Sequence, residues 1–195
     1  MAKIFGKLEP RDEYTHEVGA EPNFNESMYF NFFDPDRRLG GFLRVGNRPN
    51  EGYAEMTATV FLPDGRVLFD FQRPKISDNA AFDAGGTRFE VIEPTHRLRT
   101  SYRGSPVALG EPREMTDPRR AFTTNPRVAV SIDLVHTAVG PIYGSAHDEA
   151  EAEAPHEEQF AKAHYEQHMR VAGSVDIDGE RVEISGHGLR DHSWG

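Results

Sequence analysis

Residues 164–189, HYEQHMRVAGSVDIDGERVEISGHGL, contain two alternating segments joined by a two-residue turn signal. Mostly apolar side chains recur at every second position from Tyr165 to Ile177, and mostly polar ones lie between them. This period of two is typical of a strand with one buried face. Asp178-Gly179 is a preferred sequence for a tight hairpin turn, after which the alternation resumes. The stretch therefore predicts a long antiparallel hairpin.

The same alternation recurs along the rest of the chain, in segments that turn residues separate. The sequence LPDGRV, residues 62–67, joins two of these segments and is a strong hairpin signal. Because no strand–helix–strand pattern is present, we expect no parallel sheet. Sequential hairpins predict an all-β, antiparallel barrel or sandwich, and a barrel of this size holds one small apolar ligand. The roughly nine predicted strands span residues 27–33, 39–45, 53–62, 67–71, 87–92, 98–102, 128–135, 164–177 and 182–189.

Composition and charge exclude several classes of protein. The 195 residues include 32 Asp and Glu against 22 Lys and Arg, for a formal net charge of −10, and no cysteine. The acidic balance argues against a nucleic-acid-binding surface, which requires clustered cations. Without cysteine the chain forms no disulfide, thiolate nucleophile or Cys-ligated zinc site. The start, MAKIFGKLEP, lacks the apolar core of a signal peptide, so we expect a cytoplasmic protein without a membrane span.

Three segments depart from the strand pattern. Residues 1–26 are polar and mixed, and we predict that they form an N-terminal arm with one helical turn, while residues 27–195 form the barrel domain. Residues 104–126 contain four prolines without clear periodicity, which is typical of a lid or binding loop. Residues 144–158 are rich in Asp and Glu and lack Lys and Arg, which predicts a solvated surface loop.

One predicted strand carries a candidate metal site. His164, Glu166 and His168 project to the same side of a strand, and two imidazoles with one carboxylate could bind Zn²⁺ or Fe²⁺. The alternative is a polar strand face that is solvated or hydrogen-bonded, and this second interpretation is the one we favour. We therefore expect neither a metal nor a cofactor.

The last residues, GHGLRDHSWG, concentrate ionisable groups next to the only tryptophan. Strand alternation places His192 and Trp194 on one face and Asp191 on the other. In a structural interpretation, Arg190 and Asp191 form an ion pair that closes the hairpin, and Trp194 belongs to the core. In a functional interpretation, His192 transfers a proton and Trp194 stabilises a developing cation. Asp191 would also serve as a general acid if burial raises its pKa.

This motif, together with SMYFNFFDPDRRLGGFLRVGNRPNEGYAEM (residues 27–56) and HYEQHM (residues 164–169), resembles a group of bacterial proteins of unknown function. These proteins are related to carotenoid 1,2-hydratase (hydroxyneurosporene synthase) and to the AttH-like group. The resemblance implies a pair of lipocalin-like (calycin) β-barrels, of which this chain is the N-terminal half and the second barrel is missing after residue 195. It also implies that the His-x-Trp pattern, here His192 and Trp194, belongs to the active site, whose other acidic and tyrosine residues lie in the second barrel.

Two functions follow as hypotheses. The first is an enzyme, a hydratase or isomerase, that adds water to, or isomerises, a C=C bond of an apolar isoprenoid-like or polycyclic molecule. Asp191 or His192 would donate the proton, and Trp194 with Tyr29 or Tyr165 would shield the cation.

The second hypothesis is a lipocalin-like module that binds an apolar molecule without changing it. In either case we expect ligand contacts from Tyr29, Tyr165, His164, His168 and Glu166. Open strand edges would pair with a second copy, giving a homodimer, or with the missing second barrel.

Overall fold

A computed structural model describes residues 3–146 and 163–195 of the chain. Within these residues the chain is almost entirely β-structure. The strands are β1 (Ile4–Phe5), β2 (Glu26–Asp34), β3 (Leu39–Arg48), β4 (Tyr53–Phe61), β5 (Val67–Gln72), β6 (Asp83–Ala84), β7 (Thr87–Glu93), β8 (Arg97–Gly104), β9 (Val107–Leu109), β10 (Val130–Ala146), β11 (Ala163–Ile177) and β12 (Glu180–Trp194).

The strands form one curled sheet in which neighbours are antiparallel. Their order is β6-β7-β8-β10-β11-β12-β2-β3-β4-β5-β9, and β1 adds to β10 as a short parallel strand. The prediction of an all-β antiparallel fold is confirmed. The nine predicted strands correspond to β2–β5, β7, β8 and β10–β12. The three strands that were not predicted have two or three residues each, which is too short to establish a period of two.

The concave side of the sheet holds the apolar core. On β11, Tyr165, Gln167 and Met169 are buried, whereas Glu166 and His168 are exposed, as the alternation predicts. Other strands contribute their inward side chains in the same way, and the interior is packed with large apolar residues. They include Met28, Phe30, Phe32, Leu43, Met56, Leu98, Ile132, Leu134 and Val171.

The helices of the described residues are short. Three are 3₁₀ turns, at Pro10–Glu13, Pro49–Glu51 and Pro112–Thr116, and the α-helix α1 spans Pro118–Thr124. The first of these is the helical turn expected in the N-terminal segment. None of the helices in the described part of the chain has the length and apolar character needed to cross a membrane.

Residues 104–126 have more regular structure than the loop that was predicted. They contain β9, a 3₁₀ turn and α1, whose N-terminus the Asp117 carboxylate caps by accepting from the Arg120 N–H at 3.1 Å. A separate small apolar cluster of Val67, Val107, Leu109 and Ala121 fixes this segment on β5. Of the predicted acidic loop, residues 144–146 belong to β10, and residues 147–158 lie outside the described residues.

Candidate active site

The end of β12 carries the residues of the candidate site. Arg190 and His192 are buried on the concave side of the sheet, and Trp194 follows them on the same face. Asp191, between them, points to the convex side because side chains alternate along a strand. The predicted separation of His192 and Trp194 from Asp191 is confirmed.

Arg190 forms a buried ion pair with Glu13 of the first 3₁₀ turn. Both side chains are about 1% exposed; Arg190 Nη2 donates to Glu13 Oε2 at 2.9 Å, and Nη1 donates to Glu13 Oε1. Arg190 Nε and Nη2 also donate to the Gln167 side-chain oxygen, at 2.9 and 2.7 Å. The alternative Arg190–Asp191 pair is therefore wrong, because adjacent residues of a strand face opposite sides of the sheet.

The phenol of Tyr165 connects this ion pair to His192. Tyr165 Oη donates to Glu13 Oε1 at 2.6 Å and lies 3.1 Å from His192 Nδ1. Arg190 Nη1 donates to the same phenol oxygen at 3.1 Å. A phenol has one proton, so Tyr165 donates either to Glu13 or to His192 at any moment.

On its other side, His192 contacts the carboxylate of Glu26. His192 Nε2 lies 2.8 Å from Glu26 Oε1, and His16 Nδ1 lies 2.6 Å from the same oxygen. Glu26 Oε2 accepts from the backbone N–H of His16 at 2.9 Å and from the side-chain amide of Asn79. Four hydrogen-bond donors thus surround one fully buried carboxylate, and together they compensate its negative charge in the absence of solvent.

Trp194 covers this cluster. Its indole stacks on the imidazole of His16, with ring centroids 3.9 Å apart and planes 12° apart. The His192 ring lies 4.9 Å from the indole, and the Tyr165 ring meets it edge-on at 6.2 Å. The site thus places an electron-rich aromatic face beside two imidazoles.

Burial and hydrogen bonding set the protonation states of the cluster. Burial alone would raise the pKa of Glu26, but the bonds from His16 and His192 outweigh it and lower the pKa to about 2. Burial lowers the pKa of His192, although the bond to Glu26 opposes this. Burial would also raise the pKa of Glu13, and the Arg190 charge outweighs it, so that the net direction is down. At neutral pH both carboxylates are ionised and His192 is neutral.

His16, Glu26 and His192 also form a set of potential metal ligands, since their ligand atoms lie within 4.8 Å of one another. Neighbouring ligands at about 2.0–2.2 Å from a zinc ion are separated by about 3 Å or more. The two nitrogens are 2.6 and 2.8 Å from a single carboxylate oxygen, which are hydrogen-bond lengths. We therefore describe this set as a hydrogen-bonded cluster.

A recess of about 150 Å³ opens beside the cluster. Glu13 is the member of the polar network that lines it. Phe82 also lines it and packs edge-on against the ring of His192, with centroids 5.5 Å apart. Binding sites for drug-sized molecules typically measure about 300–1,000 Å³, so the recess accommodates one end of such a molecule. The remaining lining is mostly apolar and includes Met28, Ala80, Ala81, Phe82, Phe89, Val91 and Leu98.

Sequence comparison assigns the chain to a family. Residues 9–195 match the family described as Domain of unknown function (DUF7064). The chain belongs to the DUF7064 family. No curated protein matches its sequence.

Solved structures share the fold of this DUF7064 chain. An AttH-like protein from Nitrosomonas europaea superimposes with a TM-score of 0.63 at 16% identity, covering 100% of this chain and 58% of its own. Kievitone hydratase from Nectria haematococca gives a TM-score of 0.57 at 10% identity, with coverage of 100% and 55%. The chain thus spans little more than half the length of either protein. At these identities the likeness establishes the lipocalin-like fold, which confirms that prediction.

The DUF7064 structure brings some of the predicted site residues together and separates others. His192, Trp194 and Tyr165 meet in the buried cluster. Tyr29 and Asp191 are paired across β2 and β12 on the convex side, away from His192. Burial raises the pKa of Asp191, and the charge of His164 opposes the shift.

The residues of the candidate metal site, for which we favoured a polar strand face, also lie on the convex side. His164 Nδ1 is 3.2 Å from Asp191 Oδ2, and its Nε2 is 3.8 Å from Glu166 Oε1. His168 is exposed and is not part of this group; it lies about 13 Å along the strand from His164, four residues away. Asp191, directly opposite Glu166 on β12, takes its place.

Several members of the cluster, among them Glu13, His16 and Glu26, were not predicted as site residues. Glu13 and His16 come from the N-terminal segment, where no periodicity marks a side chain as buried. Glu26 is the first residue of β2, one position before the predicted strand. Gln167 is a polar residue within the apolar stripe of β11. A buried amide requires a polar partner, so this position in the sequence indicated further polar groups in the interior.

Proposed function

We propose that this chain binds an apolar isoprenoid-like molecule and catalyses acid-assisted hydration or isomerisation of a C=C bond. The observation that carries the proposal is the environment of His192, a fully buried imidazole held between Glu26 and Tyr165 and in contact with the indole of Trp194. The shared fold with kievitone hydratase supports a hydratase-type role. We further propose that the chain is the N-terminal half of a two-barrel protein, as its coverage of both structural neighbours allows.

The chemistry requires a proton donor and protection for a cation. A proton adds to one alkene carbon, the π electrons form the new C–H bond, and the neighbouring carbon becomes positive. For hydration, water adds to that carbon and returns a proton to the site; for isomerisation, an adjacent C–H bond loses its proton instead. The proton-transfer group is the protonated form of His192, in which Nε2–H stays on Glu26 and Nδ1, facing Tyr165, carries the proton that is transferred. Burial disfavours this form and thereby makes it a stronger acid once formed. The indole of Trp194 stabilises the cation.

Tyr165 connects this chemistry to the recess. Its hydroxyl contacts both His192 and Glu13, and Glu13 lines the recess in which we place the ligand. Asp191 and Tyr29 lie on the opposite side of the sheet, so we assign the acid role to His192 and the aromatic role to Trp194 with Tyr165. The small volume of the recess favours one end of an isoprenoid chain as the bound group over a polycyclic ring system.

Deuterium incorporation tests the activity whichever product forms. The chain is incubated in D₂O with squalene or geranylgeraniol, and products are analysed by mass spectrometry for deuterium on carbon. Because general acid–base catalysis contributes about 10²–10⁴-fold, His192→Asn should reduce labelling by at least about 100-fold. His187→Asn, an exposed histidine on the same strand, should label like the unmodified protein. Full labelling by His192→Asn would exclude the assigned role.

A second candidate is the non-catalytic binding module. The observation in its favour is that both nitrogens of His192 are engaged and that His192 does not line the recess, whereas Phe82, which packs edge-on against it, does. This function predicts that the fluorescent polyene cis-parinaric acid binds and is recovered unchanged from D₂O. Carbon-bound deuterium in any isoprenoid substrate would exclude it.

A further inference from the structure

Two carboxylates and an imidazole meet on the convex side of the sheet. His164 and Glu166 are two positions apart on β11, and Asp191 lies directly opposite Glu166 on β12. One ligand atom from each of the three side chains lies within 4.8 Å of the other two. The sequence grouped His168 with this pair instead of Asp191, so the polar strand face was favoured without the residue that completes the cluster.

The spacing of His164 and Asp191 fits two ligands of one metal ion better than it fits a hydrogen bond. His164 Nδ1 is 3.2 Å from Asp191 Oδ2, yet this nitrogen makes no hydrogen bond in the described residues. With metal–ligand bonds of about 2.0–2.2 Å, that separation gives an angle of about 100° at a zinc ion, close to the tetrahedral value of about 109°. The separation of 2.6 Å between His16 and Glu26 would give only about 80°. The criterion that excludes zinc at Glu26 is therefore met at Asp191.

Glu166 supplies the third ligand. Its Oε1 is 3.8 Å from His164 Nε2, and its side chain is 51% exposed, which leaves the carboxylate room to rotate toward Nδ1. Glu166 and Asp191 also place two negative charges directly opposite each other, which is destabilising on neighbouring strands. The positive charge of Arg44 acts on Asp191 as well, but Arg44 is itself 3.7 Å from Glu55. A divalent cation between the two carboxylates would remove their repulsion.

A metal ion can reach this cluster from solvent. The side chains of His164 and Asp191 are 40% and 22% exposed, in contrast to the fully buried His192. Glu166 and Asp191 also line a recess of about 260 Å³ on the convex side. Three protein ligands leave one position of a tetrahedral zinc ion for water, and the recess provides the space for it.

We propose that His164, Glu166 and Asp191 bind one Zn²⁺ ion on the convex side of the sheet. His164 coordinates through Nδ1, and each carboxylate supplies one oxygen. A neutral imidazole with two carboxylates suits zinc, whereas Mg²⁺ and Ca²⁺ prefer oxygen ligands alone. The site lies on the opposite side of the sheet from His192, so the proposal does not depend on the proposed function.

Calorimetric titration of the whole, chelator-treated chain with zinc chloride tests the proposal, and we expect one zinc ion per chain. His164→Gln and Asp191→Asn should each weaken binding by at least about 100-fold, because loss of even an outer-shell partner of a metal site costs about 10–100-fold. His168→Gln, on the same face of β11 but outside the cluster, is the control and should bind zinc like the unmodified chain. No stoichiometric binding, or equal affinity in Asp191→Asn and the unmodified chain, would overturn the proposal.

Thermal unfolding guards against a variant that fails to fold. A ligand that binds only the folded state raises the Tm, so zinc should raise the Tm of the unmodified chain and of His168→Gln above their values in EDTA. The Tm of Asp191→Asn should not respond. If Asp191→Asn already melts at a lower temperature in EDTA, Glu166→Gln, at the most exposed of the three ligands, replaces it in the comparison. An equal rise in the variants and the unmodified chain would indicate adventitious zinc and overturn the proposal.

Discussion

At the scale of single residues, the buried Glu13–Arg190 pair has a large energetic consequence. Its two charges are removed from water almost completely, and each is compensated by several hydrogen bonds. Bringing two ions into the protein interior costs several kcal/mol for each ion, which the pairing must offset. Loss of one partner leaves the other charge buried and alone.

We therefore expect Glu13→Gln to lower the free energy of unfolding by about 3–5 kcal/mol. The Arg99–Asp133 pair provides the control, because its side chains are 46% and 51% exposed. Asp133→Asn should change the free energy by no more than about 1 kcal/mol. Urea denaturation of the unmodified protein and the two variants measures both values. Similar losses of unfolding free energy in the two variants would contradict the prediction that the buried pair contributes more than the exposed one.

The same residues show what a sequence conveys about a site. The alternation of β12 correctly separates His192 and Trp194 from Asp191, because the side on which a strand residue projects is a local property. The partner of Arg190 is not local. Glu13 is 177 positions away, and the contact arises from the curl of the whole sheet. Neither composition nor spacing encodes that distance.

At the scale of elements, the N-terminal arm is the least predictable part of the structure. Apart from the two-residue strand β1 it consists of turns without periodic burial, yet it supplies Glu13 and His16 to the cluster. Side chains from other loops hold it in place. Asn79 donates to the His16 carbonyl and to Glu26, and Asn50 donates to the carbonyls of residues 19 and 21. The long hairpins, in contrast, were predictable because their period of two and their turn residues agree.

Asn79→Ala should release the arm from the sheet. The change leaves Glu26 without one donor and Asn47 without its acceptor on Asn79, at a cost of about 1–3 kcal/mol. Hydrogen exchange should become faster for the backbone amides of residues 12–16 and stay slow in β3 and β4. Asn50→Ala, whose bonds are exposed, should cost less than about 1 kcal/mol. Uniformly faster exchange throughout the sheet would contradict a local role for Asn79.

At the scale of the whole molecule, the pKa values of four buried groups are shifted in the same direction. Burial lowers the pKa of His136 to about 3, and the pKa values of His192, Glu13 and Glu26 are also lowered. Each of these groups binds a proton more readily in the unfolded chain than in the folded one. The unfolded state is therefore favoured as the pH falls.

His136 should contribute a defined part of the early acid sensitivity. Its unfolded pKa is about 6.5 and its folded pKa about 3, so the stability it contributes is present above pH 6.5 and is lost toward pH 3. Linkage gives a loss of about 2 kcal/mol between pH 7 and pH 5, before Glu26 begins to titrate below its unfolded value of about 4.3. Urea denaturation at both pH values measures this loss.

The control separates His136 from the other histidines. His136→Gln keeps a polar group near Thr100, which lies 3.0 Å from the imidazole, and removes the titration. This variant should lose about 2 kcal/mol less than the unmodified protein between pH 7 and pH 5. His168→Gln, on the exposed face of β11, should lose as much as the unmodified protein. If His136→Gln and the unmodified protein lose the same free energy of unfolding between pH 7 and pH 5, protonation of His136 does not destabilise the fold.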